Sequence, residues 1–200
     1  MNIEFDSKEE EYFYLWIMEL VARGIITGHQ YQPKPFMLSD QVDMTIHKRL
    51  KTKIKEQKQK LLAPHQYQAD FLLWWNIKAK DRIFIDHEDI INGSIKNYPF
   101  VANYSDKKRM YFSVVDVKGN FNQNDAWRRF SIDQKWVFQK TGIFVQKIIP
   151  VPTNAGSPAT ALFKTTFIPH RYQLTDKSGK KRKINFKHQL VDSFLGSIGM

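Results

Sequence analysis

Apolar side chains recur along the chain with two different periods, and the changes of period mark out its elements. Ser7 followed three residues later by Glu10 forms a capping box, after which Phe13, Tyr14, Ile17, Leu20 and Val21 follow at helical spacing up to Gly24. This predicts a first helix from about Ser7 to Arg23. The stretch Gly24 to Leu38 is rich in Ile, Tyr and Phe but holds Pro33 and Pro35, which a central strand would not tolerate, so an edge strand running into a loop is expected. From Gln41 to Leu62, Ile46, Leu50, Ile54 and Leu61 recur at helical intervals within a strongly basic stretch, the pattern of an exposed or protruding helix. Tyr67 to Trp75 and Arg109 to Lys118 are compact aromatic and aliphatic runs that read as buried strands, the first with Asp70 inside it. Between them, Asn76 to Lys108 contains Ile83-Phe84-Ile85 and Asn92-Gly93, suggesting a hairpin or excursion inserted into the sheet. Asp125 to Thr141 reads as a helix, and Gly142 to Pro150 as a strand in which Ile143, Val145 and Lys147 alternate. Val151 to Ala161 reads as loop, Leu162 to Tyr172 as a last strand, and Asp176 to Lys183 as a basic turn.

The resulting order, helix, strand, strand, strand, helix, strand, predicts an α/β protein whose central mixed β-sheet is flanked by helices. One domain over residues 1–200 is expected, with a core of about 5–150 and a C-terminal extension, 151–200, to which the sequence assigns no role. Lys and Arg number 31 against 20 Asp and Glu, a net charge of +11. Such an excess points to a polyanionic partner, with a merely solubilising basic surface as the alternative. The absence of cysteine excludes disulfides, thiolate zinc sites and a cysteine nucleophile, and fits a reducing cytoplasm. The opening Met1-Asn2-Ile3-Glu4-Phe5-Asp6 is neither basic nor followed by an apolar core, and no stretch approaches a membrane span, so a soluble protein without a membrane partner is expected. The histidines, His29, His47, His65, His87, His170 and His188, lack the spacing of a zinc hydrolase. Gly179-Lys180 lacks the first glycine of a phosphate loop, and no glycine-flanked serine elbow occurs.

The candidate chemistry lies in the two apolar runs. Asp116 and Lys118 end the run Tyr111-Phe112-Ser113-Val114-Val115, and strand geometry places residues two apart on one face. A carboxylate and an ammonium at the end of an apolar strand cost desolvation energy, although a simple strand-end salt bridge is the competing reading. Asp70, in Tyr67-Gln68-Ala69-Asp70-Phe71-Leu72, is a second acid placed where charge is expensive. Two such acids on adjacent strands would bind a divalent cation. Magnesium prefers oxygen ligands and keeps several waters, so Asp70, Asp116, the Val117 carbonyl and waters would complete its shell. Glu10 supplies a third acid on the inward face of the first helix, with helix capping as its other role. In the following helix, Trp127, Phe130, Gln134 and Val137 form one stripe, which sets the Gln134 amide among apolar neighbours where it needs a partner.

With these residues in view, the sequence resembles the PD-(D/E)XK nuclease superfamily, and more closely its phage-type members related to Holliday-junction resolvases. Phe5-Asp6-Ser7-Lys8-Glu9-Glu10 resembles their opening helix, Tyr67-Gln68-Ala69-Asp70-Phe71 their Tyr-x-Pro-Asp-Phe strand, and Asp116-Val117-Lys118-Gly119 their Asp/Glu-x-Lys strand. Ala69 stands where the family usually has proline, and the gap from Asp70 to Asp116 is longer than is common there. The resemblance implies a restriction-endonuclease-like fold and a metal-dependent DNA endonuclease acting on branched, replication or recombination DNA. It implies Mg2+ as cofactor with Mn2+ able to substitute, Lys118 positioning the attacking water, and Gln134, or less directly Lys135, beside the site. It also implies DNA as partner, a homodimer by family habit, and the host cytoplasm as location if the chain is phage-encoded. A non-catalytic nucleic-acid-binding protein is the alternative. There Lys and Arg contact phosphates and aromatics stack on bases, but the two strand-embedded acids go unexplained. A structural protein with a basic face ranks last.

Overall fold

The computed structural model describes residues 3–89, 98–118, 125–148, 166–167, 188–189 and 191–200. The Asn92-Gly93 turn, Gly119, the loop from Val151, the basic turn Asp176 to Lys183 and most of the strand expected from Leu162 lie outside them.

The first helix, α1 (Lys8–Ala22), begins and ends where its apolar period does. Ser7 is its N-cap, accepting the Glu10 backbone N–H, and Gly24 takes the left-handed backbone, φ +68°, that follows a helix end. Phe13, Ile17 and Leu20 are buried on its inward face. The chain then forms β1 (Ile26–Tyr31) and, after two short sheets, β6 (Phe71–Trp75), β7 (Phe84–Asp86), β8 (Phe100–Ser105) and β9 (Met110–Val117). Helix α2 (Asp125–Thr141) and strand β10 (Val145–Ile148) follow.

These strands make a six-stranded mixed sheet in the order β1, β6, β9, β8, β7, with β10 also pairing to β9. β1, as expected, lies at an edge. The β1–β6, β6–β9 and β8–β9 pairs are antiparallel, and β10–β9 and β7–β8 are parallel. α1 covers one face, where Phe13, Trp16, Ile17 and Leu20 meet Phe71, Leu73, Val115 and Val117. α2 covers the other, where Phe130 and Val137 meet Val114 and Val145. The alternation of Phe71 with Leu72, and of Val114 with Val115, divides each strand between the two clusters.

β9 changes partner on one side part-way along its length. Its first residues, Met110 to Phe112, pair with β8, and Val114 to Val117 pair with β10. Buried polar side chains close this fork. Gln146 accepts the Val101 N–H and donates to the Pro99 carbonyl, each at 2.9 Å. Asn103 accepts the Phe144 N–H at 2.7 Å and donates to the Phe144 carbonyl at 3.0 Å. Ser113, at the switch itself, accepts from the Trp75 indole at 2.8 Å and donates to the Val101 carbonyl at 2.7 Å. Each satisfies backbone groups that the diverging ladders would otherwise leave unpaired. The effect is to hold the end of β9 between β6 and β10.

Three sequence expectations are corrected. Gln41 to Leu62 is not a helix but an antiparallel hairpin of β3 (Val42–Arg49) and β4 (Ile54–Leu62). Val42, Met44 and Ile46 carry a two-residue period as readily as Ile46, Leu50 and Ile54 carry a helical one, and cross-strand pairing selects the former. Tyr67 to Trp75 is not one strand. β5 (His65–Tyr67) pairs with β2 (Phe36–Ser39) in a separate two-stranded sheet, and the chain bends before β6, so Asp70 stands just ahead of that strand. The insertion between β6 and β9 is not a hairpin, since β7 and β8 pair in parallel and extend the sheet beyond β9.

The packing separates core from appendage in a measurable way. Phe13 is 1% exposed, stacks on Trp16 and meets Phe71 edge-on, so Phe13→Ala should cost about 3–5 kcal/mol in urea denaturation. Ile54 in the hairpin is 67% exposed, and Ile54→Ala should change stability by no more than about 0.5 kcal/mol.

Candidate functional site

The β6–β9 pairing brings Asp70 to the end of β9. The Asp70 N–H donates to the Val115 carbonyl at 3.0 Å, and its Oδ2 accepts the Val117 N–H at 2.6 Å. Its own carbonyl accepts the Gln32 N–H at 2.8 Å, so the bend is held from both sides. Asp116 is 2% exposed and lies between Val115 and Val117 on the face that β9 turns toward α2. Its Oδ2 accepts the Tyr67 hydroxyl at 2.7 Å, and its Oδ1 forms an ion pair with Lys118 Nζ. That contact lacks hydrogen-bond alignment, so Oδ1 is a buried acceptor without a hydrogen bond among the described residues.

Burial and proximity act together on Asp70. Asp70 is pushed up to about 8, by desolvation first and by the charge of Asp116 second; the Val117 N–H and Lys118 pull the other way, and Glu10 adds to the rise. Tyr67 is raised as well, by burial and then by Asp116, which keeps it a hydrogen-bond donor.

Glu10 is buried at the start of α1, with Oε1 accepting the Ser7 hydroxyl and Oε2 the Tyr31 hydroxyl, each at 2.7 Å. Tyr31 is pushed up to about 12, by burial and then by this bond. Glu10 therefore serves its helix cap and lies within electrostatic reach of Asp70. Among the described residues, no three acidic or imidazole groups form a ready-made metal cage. The donor set still suits a hard cation in type: the carboxyl groups of Asp70 and Asp116 meet at the end of β9, and a cation between them would offset the repulsion that raises Asp70.

Gln134 is not brought to the acids by any described bond. Its amide donates to the Val145 carbonyl at 2.6 Å, which supplies the partner it needs and ties α2 to β10. Lys135 is exposed.

The structure gives contacts to three residues to which the sequence reading assigned no role. Tyr67 fixes Asp116. Lys147 is the register partner of Asp116 across the parallel β9–β10 pair, and its ammonium lies 5.6 Å from the Phe130 ring centroid. Burial lowers its pKa, while Asp116 opposes the shift. Its signal is a lysine in phase with Val145 on a buried strand face. His65 bonds to the buried Asp133 at 2.8 Å and stacks on Trp136, an arrangement that sequence separation hides.

Comparison with protein-family models, with curated proteins and with solved structures returns no match to this chain.

The state of Asp70 has a pH signature. A carboxyl raised from 3.8 to about 8 keeps its proton in the folded chain while the unfolded chain loses it, so stability falls as pH rises between those values. In thermal melts without divalent metal, wild type should lose stability from pH 5 to pH 8 relative to Asp70→Asn, whose amide oxygen can still accept the Val117 N–H. Parallel curves for the two proteins would contradict this assignment.

Proposed function

We propose that the chain is a metal-dependent DNA endonuclease of the PD-(D/E)XK type. The observation that carries this reading is the meeting of Asp70 and Asp116 at the junction of β6 and β9, with Lys118 against the buried Asp116 oxygen. A charge cluster of this kind is costly to bury and gives the core no packing advantage, which favours a chemical role. The order helix, three strands, helix, strand is kept by α1, β1, β6, β9, α2 and β10 once the inserted segments are set aside, which supports a restriction-endonuclease-like fold.

In this reading Asp70 and Asp116, with the Val117 carbonyl, would hold Mg2+ or Mn2+, which would supply Lewis-acid stabilisation of charge on the scissile phosphate. Lys118 orients the attacking water and balances that charge. Tyr67 fixes the Asp116 carboxylate through Oδ2, and Lys118 stands against Oδ1. Glu10, held by Ser7 and Tyr31, adds negative potential from α1. The net charge of +11 supplies attraction to phosphates over the whole surface. Branched, replication or recombination DNA is the substrate class that the family resemblance favours.

Location separates rate from affinity. Asp116→Ala or Lys118→Ala should lower magnesium-dependent cleavage at least about 100-fold and leave binding in EDTA largely intact, because affinity is spread over many basic side chains. The assay compares cleavage of plasmid, single-stranded and four-way-junction DNA with binding of the same substrates, after circular dichroism has shown that each variant folds. Undiminished cutting by the Asp116 variant contradicts the site. A wild-type protein that binds DNA and cuts under no divalent metal favours the non-catalytic binding protein.

A further inference from the structure

The β3–β4 hairpin stands apart from the sheet and has no core of its own. Every residue of β4 is exposed, and in β3 only Ile46 is partly covered. A two-stranded ribbon in water is marginal by itself, and a surface burying so little gives the fold almost nothing. Its charge is equally unbalanced. Lys48, Arg49, Lys51, Lys53, Lys55, Lys58 and Lys60 face only two acids, Asp43 and Glu56. Glu56 is taken by His47 at 3.7 Å and Asp43 accepts from Gln41 at 2.7 Å. None of the seven cations forms an ion pair among the described residues.

The register concentrates this charge at the far end. Lys48 lies directly opposite Lys55, a like-charged cross-strand pair, and Arg49 opposite Ile54. Lys51 and Lys53 lie in the connection between the strands, so five cations crowd eight consecutive residues, 48–55, without an acid. Lys58 and Lys60 share the face of Arg49, Thr45 and Asp43, opposite to that of Lys48 and Lys55, so the ribbon carries basic side chains on both faces.

We propose that the β3–β4 hairpin is a DNA-gripping arm that lays its basic tip along the phosphates of a duplex, outside the Asp70–Asp116 site. This rests on the reading of the protein as acting on DNA and specifies how it holds its substrate. Repulsion that destabilises the free ribbon is relieved when phosphates lie between the lysines. A two-stranded ribbon matches the major groove of B-form DNA, about 12 Å wide, whereas the deep, narrow major groove of duplex RNA does not admit one. The arm thus gives preference for duplex DNA and acts on affinity without touching the chemistry.

The test is a full-length variant with Lys48, Arg49, Lys51, Lys53 and Lys55 all changed to Gln, compared with wild type by fluorescence anisotropy on a 30-base-pair DNA duplex in EDTA over a range of salt. Magnesium-dependent cleavage by the wild type is measured in parallel. The variant should melt at the wild-type temperature and bind the duplex at least about tenfold more weakly at low salt. The slope of log affinity against log salt should become shallower by about 0.9 for each phosphate that the arm no longer neutralises. Unchanged affinity and slope, or a wild type that does not bind the duplex, overturns the arm. A loss confined to duplex RNA or to anionic lipid vesicles overturns duplex DNA as its occupant. Because binding is read without metal, a wild type that never cuts defeats the nuclease reading while an arm-dependent duplex affinity stands. A wild type that cuts but binds equally well without the tip charges defeats the arm alone.

Discussion

Two carboxylates with little access to water meet where β6 begins and β9 ends, and their mutual repulsion is the constraint around which the local structure is built. Asp70 answers it with a proton and the Val117 N–H, Asp116 with the Tyr67 hydroxyl and Lys118. The partners are gathered from separate parts of the chain. Tyr67 arrives from the small β2–β5 sheet, Val117 and Lys118 from the end of β9, and Glu10 enters the same field from α1. Removing one partner would leave charge buried without compensation, which costs more than the pair contributes to stability when intact.

The frame that holds those partners depends on the fork beside β9. Antiparallel pairing to β8 ends near Phe112 and parallel pairing to β10 begins at Val114. The amides of Asn103 and Gln146 bridge the divergence, and the Ser113 hydroxyl ties the switch point to β8 and Trp75. With β10 in place, the Lys118 N–H donates to the Ile148 carbonyl at 2.8 Å, which fixes the backbone just past Asp116. Lys147 thereby shares the face of Asp116 as its register partner.

Elements whose signal is local are legible in the sequence. Ser7, Glu10 and Gly24 define α1 to within a residue, and α2 spans the expected 125–141. The apolar runs around Leu72 and Val114 give two central strands because both faces of each are buried. The hairpin at 42–62 reads as a helix because neither of its strands is buried, so hydrophobic period, the main guide, carries no information there. The division of Tyr67 from Phe71 is hidden for a different reason: the two strands join different sheets, and pairing partners are not encoded locally. In the candidate site, Asp70, Asp116 and Lys118 stand out as charges in apolar surroundings. The partners of Glu10, Asp116 and Gln134 do not, since Tyr31, Tyr67 and the Val145 carbonyl reach them only through tertiary packing.

The central claim is that Asp70 and Asp116 jointly hold one divalent cation. Its most direct test is Mn2+ binding to the full-length protein, followed by electron paramagnetic resonance and calorimetry, for wild type, Asp70→Asn and Asp116→Asn. The expected result is a single bound ion in wild type, with affinity reduced about tenfold or more in each variant while both keep the wild-type fold. Equal Mn2+ affinity in all three proteins, or no binding by folded wild type, would contradict the account.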